Sequence, residues 1–487
     1  SLGDYQRMRS ALVRESRQIV SSNLLASLNS EEDRAAASAH FDQLRSDWIT
    51  HYQTDRASDL ASFPLCKHFP MIRDSVRQED SFRWIRRMPK GGLLHVHSTA
   101  AGRAAFIADY ACKHPHCWVL WQMGSDVDHS IQGTMQFSKT RPKEDHYERA
   151  IDLARKIDQF PRKLADEFHM DHGDYENARN TKPWQIFIES FSKVNNFISY
   201  QPAFQAYFED TFQTYIDDNI DYVEMRTGVG TLFDLKGNEW ASEEQILQYR
   251  QALQRFQERH PHFNMRLIIN NYRGVQGVHL NRALDFATRM HVKHPEFVIG
   301  FDLVGEENMN TPTRSIVGAV VQLQSGNEGG PTIPLYFHDG ETTWADNENI
   351  IDAYLLNTKR IGHGFNLVAY PEVEQGLREN GVALEVCPIS NQMLRYLGDP
   401  RLHPAMGYIR RDVPCVLASD DPMIFGNHGL SYDFWMAWMA WDLSLDDMRV
   451  LAGNSLLYSG MPPREKAAAI KRWQRKWAEF ERSLAAR

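Results

Sequence analysis

Cysteine is scarce in this chain: five in 487 residues, Cys66, Cys112, Cys117, Cys387 and Cys415, with no CxxC pair among them. So sparse and odd a set excludes a disulfide-built scaffold and a zinc ribbon. Only "CKHPHC", residues 112–117, brings two close in sequence, as a local disulfide, a small metal site or two free thiols in a polar loop. Long apolar runs are also missing, with no stretch of about 18 apolar residues to span a bilayer. Nor is there a Lys/Arg-rich run. A formal charge of −9 and a pI near 6.1 argue against nucleic acid as partner and leave a small ligand. No signal-peptide pattern is present and the sequence starts at Ser1, which leaves the compartment open.

What is there is a globular composition, 42% apolar with 24% charged residues, long enough for several domains or for one large barrel with additions. Residues 1–87 are rich in helix formers with apolar residues at helical spacing, and "NSEEDRAAASA" supplies an N-cap and an acidic first turn. Beyond Pro89 the pattern changes to short apolar, β-branched runs, each followed by a longer helix-like stretch. Eight such runs occur, at 91–97, 221–226, 265–270, 297–303, 333–338, 359–363, 382–387 and 413–419. Alternation of this kind predicts a parallel sheet, and eight is the number of a TIM (β/α)8 barrel. The gap between the first and second runs is far longer than a crossover helix needs, so a subdomain inserted after the first strand is expected. The division is 1–87 helical N-terminal region, 88–112 first barrel strand and start of the next helix, 113–183 insertion, 184–462 the rest of the barrel, and 463–487 a C-terminal helix. The insertion reads as substantially helical. The basic, amphipathic C-terminal helix is expected to pack on the barrel.

In such barrels the active site is assembled at the C-terminal ends of the strands. The first run ends in His95 and His97, which alternate by two and share one face of a strand. The fifth ends "HDGE" with His338 and Glu341, the sixth "GHG" with His363, and the eighth "SDDP" with Asp420 and Asp421. Each alone has a plain structural reading: hydrogen-bonded histidines, a tight turn, or an N-capping aspartate. Their conjunction at four strand ends is what points to chemistry. Three imidazoles and a carboxylate bind one divalent metal, most plausibly zinc, which acidifies water for attack on an electron-poor carbon. The fourth run ends "FDLVGEE" without a bridging lysine, which favours one metal over two.

The motifs "MPKGGLLHVH", "GFDLVGEE", "HDGE", "IGHG" and "ASDDP" resemble, in order and spacing, those of the adenosine deaminase family within the amidohydrolase superfamily. The long insertion, the helical N-terminal region and "KRWQRKWAEF" are similar to its growth-factor-type subfamily. The resemblance implies one Zn2+ per subunit on His95, His97, His338 and Asp420, with Glu341 donating a proton to purine N1. It implies that His363 orients or deprotonates the attacking water, that Asp421 hydrogen-bonds N7, and that the Gly305 N–H meets N3. A raised Glu341 pKa follows, because that carboxyl must be protonated to act. The family resemblance further implies a homodimer built by the N-terminal region and a secreted or periplasmic location, although nothing in the sequence excludes the cytoplasm.

At the sugar end the chain departs from the family pattern. Where relatives carry a ribose-binding aspartate just after the second histidine, Ser98 and Thr99 stand here, and Tyr272 falls where the subfamily has a histidine. Trp184 matches a tryptophan lining the sugar end and reads equally as a helix-core residue. The expected activity is zinc-dependent hydrolytic deamination of adenosine or an adenosine-like 6-aminopurine nucleoside. Two alternatives stand beside it: deamination of another aminopurine or aminated heterocycle, and a non-catalytic signalling or binding protein on the same fold. Phosphorylated substrates are disfavoured, since no Arg/Lys cluster follows the strand ends.

Overall fold

All eight apolar runs become parallel strands of one barrel: β1 (Gly91–His97), β2 (Ile220–Thr227), β3 (Asn264–Tyr272), β4 (Val298–Val304), β5 (His338–Asp339), β6 (Arg360–His363), β7 (Ala383–Val386) and β8 (Cys415–Leu417). The structure, a computed structural model, describes residues 2–17, 24, 26–52, 63–122, 130–131, 135–143, 146–170, 183–274, 277–325 and 332–486. Strands β1 to β4 pair in order, as do β5 to β8. Two seams join these halves. At one, Phe301 N donates to Pro334 O and Tyr336 N to Phe301 O, both at 2.9 Å; at the other, His97 N donates to Asp420 O at 3.0 Å and Asp420 N to His95 O at 3.1 Å.

Strands enclosed on both faces bury most of their side chains, which is why they read as largely apolar runs. Two are cut to three residues or fewer. The run at 333–338 pairs only through Leu335 and through His338–Asp339, and the run at 413–419 only over Cys415–Leu417. Pro334 and Pro414 have no N–H to give a ladder, and each interrupts its strand.

The N-terminal region is helical as expected, with α1 (Leu2–Arg17), α2 (Glu31–His51) and α3 (Asp80–Arg87) among its helices. Ser30 caps α2 by accepting the Asp33 N–H at 3.1 Å, with Glu31, Glu32 and Asp33 in the first turn. Further along lie α4 (Pro183–Ser199), α5 (Pro388–Met393), α6 (Ser431–Trp441) and α7 (Pro463–Ala485). Helix α2 packs on α6, where Phe41 stacks on Trp438 at 4.0 Å and Trp48 meets Trp435 edge-on at 5.4 Å. The C-terminal helix α7 buries Trp473 and Trp477 against the barrel's base, the Trp473 indole donating to Pro89 O at 3.0 Å. This is barrel packing, and among the described residues no helix is long and apolar enough to cross a membrane.

The insertion differs from its helical reading. Cys117–Gln122 forms a strand paired antiparallel with Ser130–Ile131, Gln136–Phe137 and Tyr147–Arg149, and helix begins only at Ala150–Lys156 and Phe160–Asp166. The deciding signal is a period of two: Cys117, Val119 and Trp121 are buried, as alternate residues of a one-sided strand should be. The end of the insertion, 171–182, lies outside the described residues.

Cys112 and Cys117 are separate free thiols, both buried, and burial pushes the Cys112 thiol up to about 12. Both should therefore react with an alkylating agent only once the protein unfolds, and the melting temperature should not change on adding a reductant. A drop in melting temperature under reducing conditions would show a disulfide instead.

Candidate active site

The strand ends converge as the alternation of β1 requires. His95 Nε2 lies 3.1 Å from Asp420 Oδ1, and His97 Nε2 lies 3.2 Å from that oxygen and 3.2 Å from His338 Nε2. The ligand atoms of His95, His97, His338 and Asp420 all lie within 4.8 Å of one another. Close packing is needed for this, and Gly362 on β6 permits it: a Cβ there would fall 3.1 Å from His95 Cε1 and from His338 Cα. Three imidazole nitrogens and a carboxylate oxygen facing one point form a donor set that suits a single divalent cation such as zinc. A second grouping, His95, His363, Cys387 and Asp420, suits it less. Burial, reinforced by Asp420 and other carboxylates, pushes the Cys387 thiol well above its ordinary range, and it is the thiolate that ligates.

Behind the histidines runs a buried ladder of charge. His95 Nδ1 meets Glu385 Oε2 at 2.8 Å and His338 Nδ1 meets Asp302 Oδ2 at 2.7 Å. These carboxylates hold the Nδ1 hydrogens and turn both Nε2 lone pairs toward the shared point. Arg226 joins the two acids, at 2.7 Å to Asp302 and 2.5 Å to Glu385, and Arg360 joins Glu385 at 2.7 Å to Glu224 at 2.5 Å. Burial opposes ionisation of Asp302, but His338 and Arg226 outweigh it and hold the carboxyl at about 2. Arg226 and Arg360 likewise hold Glu385 well below the carboxylate range against burial. None of these acids was among the residues singled out by sequence. Their signal was a carboxylate inside an otherwise apolar strand, as in "DYVEMR", "GFDLV" and "VALEVC".

Glu341 sits on the turn after β5, and Glu307 clamps that turn by accepting the Glu341 N–H at 2.6 Å and the Gly340 N–H at 3.1 Å. Burial first, then the charges of Asp420 and Glu307, push the Glu341 carboxyl well above its usual range. Asp421 is raised by burial and by Asp420. His363 Nε2 lies 3.6 Å from Glu341 Oε1 and 3.7 Å from Asp420 Oδ2. Glu341 Oε1, His363 Nε2 and Asp421 Oδ1 are buried without a hydrogen-bond partner in the protein, which leaves all three free to meet water or a ligand.

Glu341 and Asp421 line a cavity of about 660 Å3, open mouth included, together with His97, His338, Asp420, Gly305, Trp184, Ser98, Thr99 and Tyr272. The residues singled out by sequence thus lie on or beside one cavity, and the Ser98 hydroxyl is already engaged there, donating to Thr227 Oγ1 at 3.2 Å. Trp184 donates its indole N–H to the Tyr396 hydroxyl at 3.0 Å and presents its ring to Phe187. The Tyr272 ring lies against Gly305, where a Cβ would come within 2.5 Å of it and where φ is +109°, so both space and backbone demand glycine. Sequence reading missed Phe187, Ile188 and Phe191 of α4, which form an apolar wall, and Asn270, whose Oδ1 is buried without a partner. Arg226 is the one Lys or Arg on the lining among the described residues, and its charge is matched by two carboxylates.

Residues 149–475 match the family model described as adenosine deaminase. The chain is 31% identical over 431 residues to an adenosine deaminase of Aedes albopictus, covering 86% of this chain and 79% of that one. It is 30% identical over 440 residues to adenosine deaminase 2 of Homo sapiens, covering 86% and 83%. A solved cog1816 amidohydrolase from Burkhoderia ambifaria, with bound Zn, superposes at a TM-score of 0.56 and 15% identity over 84% of this chain and 95% of that one. At that identity the likeness speaks for the fold.

If Glu385 orients His95 as described, Glu385→Gln should weaken binding of a divalent metal by about 10–100-fold, measured by competition with a chromogenic chelator. Unchanged affinity would remove the ladder from the metal site.

Proposed function

The chain belongs to the adenosine deaminase family, and on that footing we propose that it hydrolyses the 6-amino group of adenosine or a closely related 6-aminopurine nucleoside, with one zinc ion per subunit, giving the 6-oxo product and ammonia. The observation that carries this reading is a four-donor cluster for one cation beside a buried carboxyl whose pKa is pushed up by burial and by Asp420. When held by His95, His97, His338 and Asp420, the metal supplies a water acidic enough to attack near neutral pH.

The remaining work belongs to the chain. Glu341, as the acid, donates to purine N1 and draws electrons from C6, which makes that carbon electrophilic. Asp421, as the acid, donates to N7, an acceptor; burial and the neighbouring Asp420 raise its pKa and favour that form. The Gly305 N–H faces N3. His363 orients or deprotonates the attacking water. These contacts put C6 at the metal and point N9 toward the ends of β1 to β3, where Ser98, Thr99, Asn270 and Tyr272 make an uncharged sugar end. That neutrality supports a second reading, a 6-aminopurine with a different N9 substituent.

Glu341→Gln should lower kcat/KM by about 10²–10⁴-fold. Because the acid form is the active one, the wild-type rate should fall as pH rises through the Glu341 pKa. A variant within threefold of wild type would favour the non-catalytic reading. In a panel of adenosine, 9-methyladenine and adenosine monophosphate, the phosphate should be the poorest substrate, since among the described residues no unmatched cation lines the cavity. Equal turnover of the phosphate would contradict that sugar end.

We also propose that the protein is a homodimer joined through its N-terminal region. Tyr5, Met8 and Leu12 lie on one face of α1 and are each more than half exposed, an apolar stripe that a second copy would cover. Light scattering should give twice the chain mass for the full chain and a single chain mass after deletion of residues 1–17. An unchanged mass would place the interface elsewhere.

A further inference from the structure

Two roles stand open for His363 in the proposed reaction: donating a hydrogen bond to the attacking water, or taking its proton. Which one it plays depends on which ring nitrogen carries hydrogen. The hydrogen bonds behind the ring decide that. The backbone N–H of Ala405 donates to His403 Nδ1 at 3.1 Å. A backbone N–H only donates, so His403 Nδ1 holds a lone pair and the ring hydrogen is on Nε2. His403 is buried, and burial lowers its pKa to about 3, which keeps the ring neutral. Its Nε2–H therefore donates to Asn391 Oδ1, 3.0 Å away. This fixes the orientation of the Asn391 amide, oxygen toward His403 and nitrogen toward His363. Asn391 Nδ2 lies 3.2 Å from His363 Nδ1, so His363 Nδ1 accepts and the hydrogen of that ring is on Nε2.

In front of the ring, His363 Nε2 lies 3.6 Å from Glu341 Oε1 and 3.7 Å from Asp420 Oδ2, so the assignment stands on the hydrogen bonds behind the ring.

We propose that His403 and Asn391 form a positioning relay that locks His363 in its Nε2–H tautomer, so that His363 serves as a hydrogen-bond donor to the attacking oxygen and not as its base. The tautomer lock stands on the hydrogen bonds alone; the role in catalysis rests on the proposed function. The proton balance then closes through carboxylates. Water adds its oxygen to C6 as Glu341 protonates N1. One water proton passes by way of Asp420 to the amine, the C6–N bond breaks and ammonia leaves. The remaining hydroxyl proton returns to Glu341 as the C6 carbonyl forms.

The test is two-bond 1H–15N correlation NMR on the holoenzyme with 15N-labelled histidine, the His363 signals being identified by their loss in His363→Gln. The expected pattern is a hydrogen-bearing Nε2 and a bare Nδ1. In Asn391→Asp the new carboxylate accepts from Nδ1–H, so the pattern should reverse and kcat should fall on the order of 10²-fold or more, as wrong-tautomer variants of other histidine sites do, with KM within threefold. His403→Gln, which supplies another N–H to Asn391, should keep the wild-type pattern and rate, whereas His403→Phe should show both tautomers. That second pair gives the contrast if Asn391→Asp does not fold. A wild-type His363 with hydrogen on Nδ1 overturns the proposal, as does a reversed pattern with unchanged kcat. A wild-type enzyme with the expected tautomer that deaminates no 6-aminopurine upholds the lock and overturns the proposed function.

Discussion

Two backbone hydrogen bonds, from His97 N to Asp420 O and from Asp420 N to His95 O, close the barrel, and everything at the rim depends on them. They fasten the first strand to the turn after the last, and the metal-type donors stand on both sides of that seam. Asp420 reaches its place with a left-handed backbone, φ +60°, a conformation that costs about 1–3 kcal/mol in a residue other than glycine. The pairing to β1 and the Ser390 hydroxyl, which donates to Asp420 Oδ2 at 2.7 Å, hold it there.

The inside of the barrel carries charge where most barrels of this kind carry packed aliphatic layers. Buried ions are costly unless paired and fully hydrogen-bonded, and here Glu224, Arg360, Glu385, Arg226 and Asp302 form an unbroken alternation of sign. Three carboxylates against two guanidinium groups leave one negative charge, and Asp420 adds a second. A divalent cation held at the rim would neutralise both. The ladder would then be half of an electrostatic unit completed by that cation.

Much of this was legible in the sequence because a parallel barrel writes itself as apolar runs ending in polar residues. His95, His97, His338, His363 and Asp420 were readable since each closes such a run. The strand "CWVLWQ" was not, because its alternation lies inside a long segment with helix-like spacing on either side. The buried acids escaped notice for a different reason: they sit in mid-strand, and only the register of β2, β4 and β7 brings them behind the histidines. Phe187, Ile188 and Phe191 are about as remote from Ser98 in sequence as α4 is from β1, and no spacing rule spans that distance. His403 and Asn391 belong to loop and helix, where a polar residue says little about its partner.

The cavity is assembled from two arcs of the rim. In the proposed reaction, proton transfer and purine contact come from the ends of β4 to β8, while the N9 side is walled by the ends of β1 to β3 and by α4, an element outside the barrel. Of the lining residues in the second arc only His97 belongs to the metal-type cluster and meets Asp420; Ser98, Thr99, Asn270, Tyr272 and the apolar residues of α4 belong to the lining alone. Substitutions at those lining positions would change which N9 substituent fits while leaving the metal-type donors and Glu341 in place, so substrate choice and chemistry are separable on this scaffold.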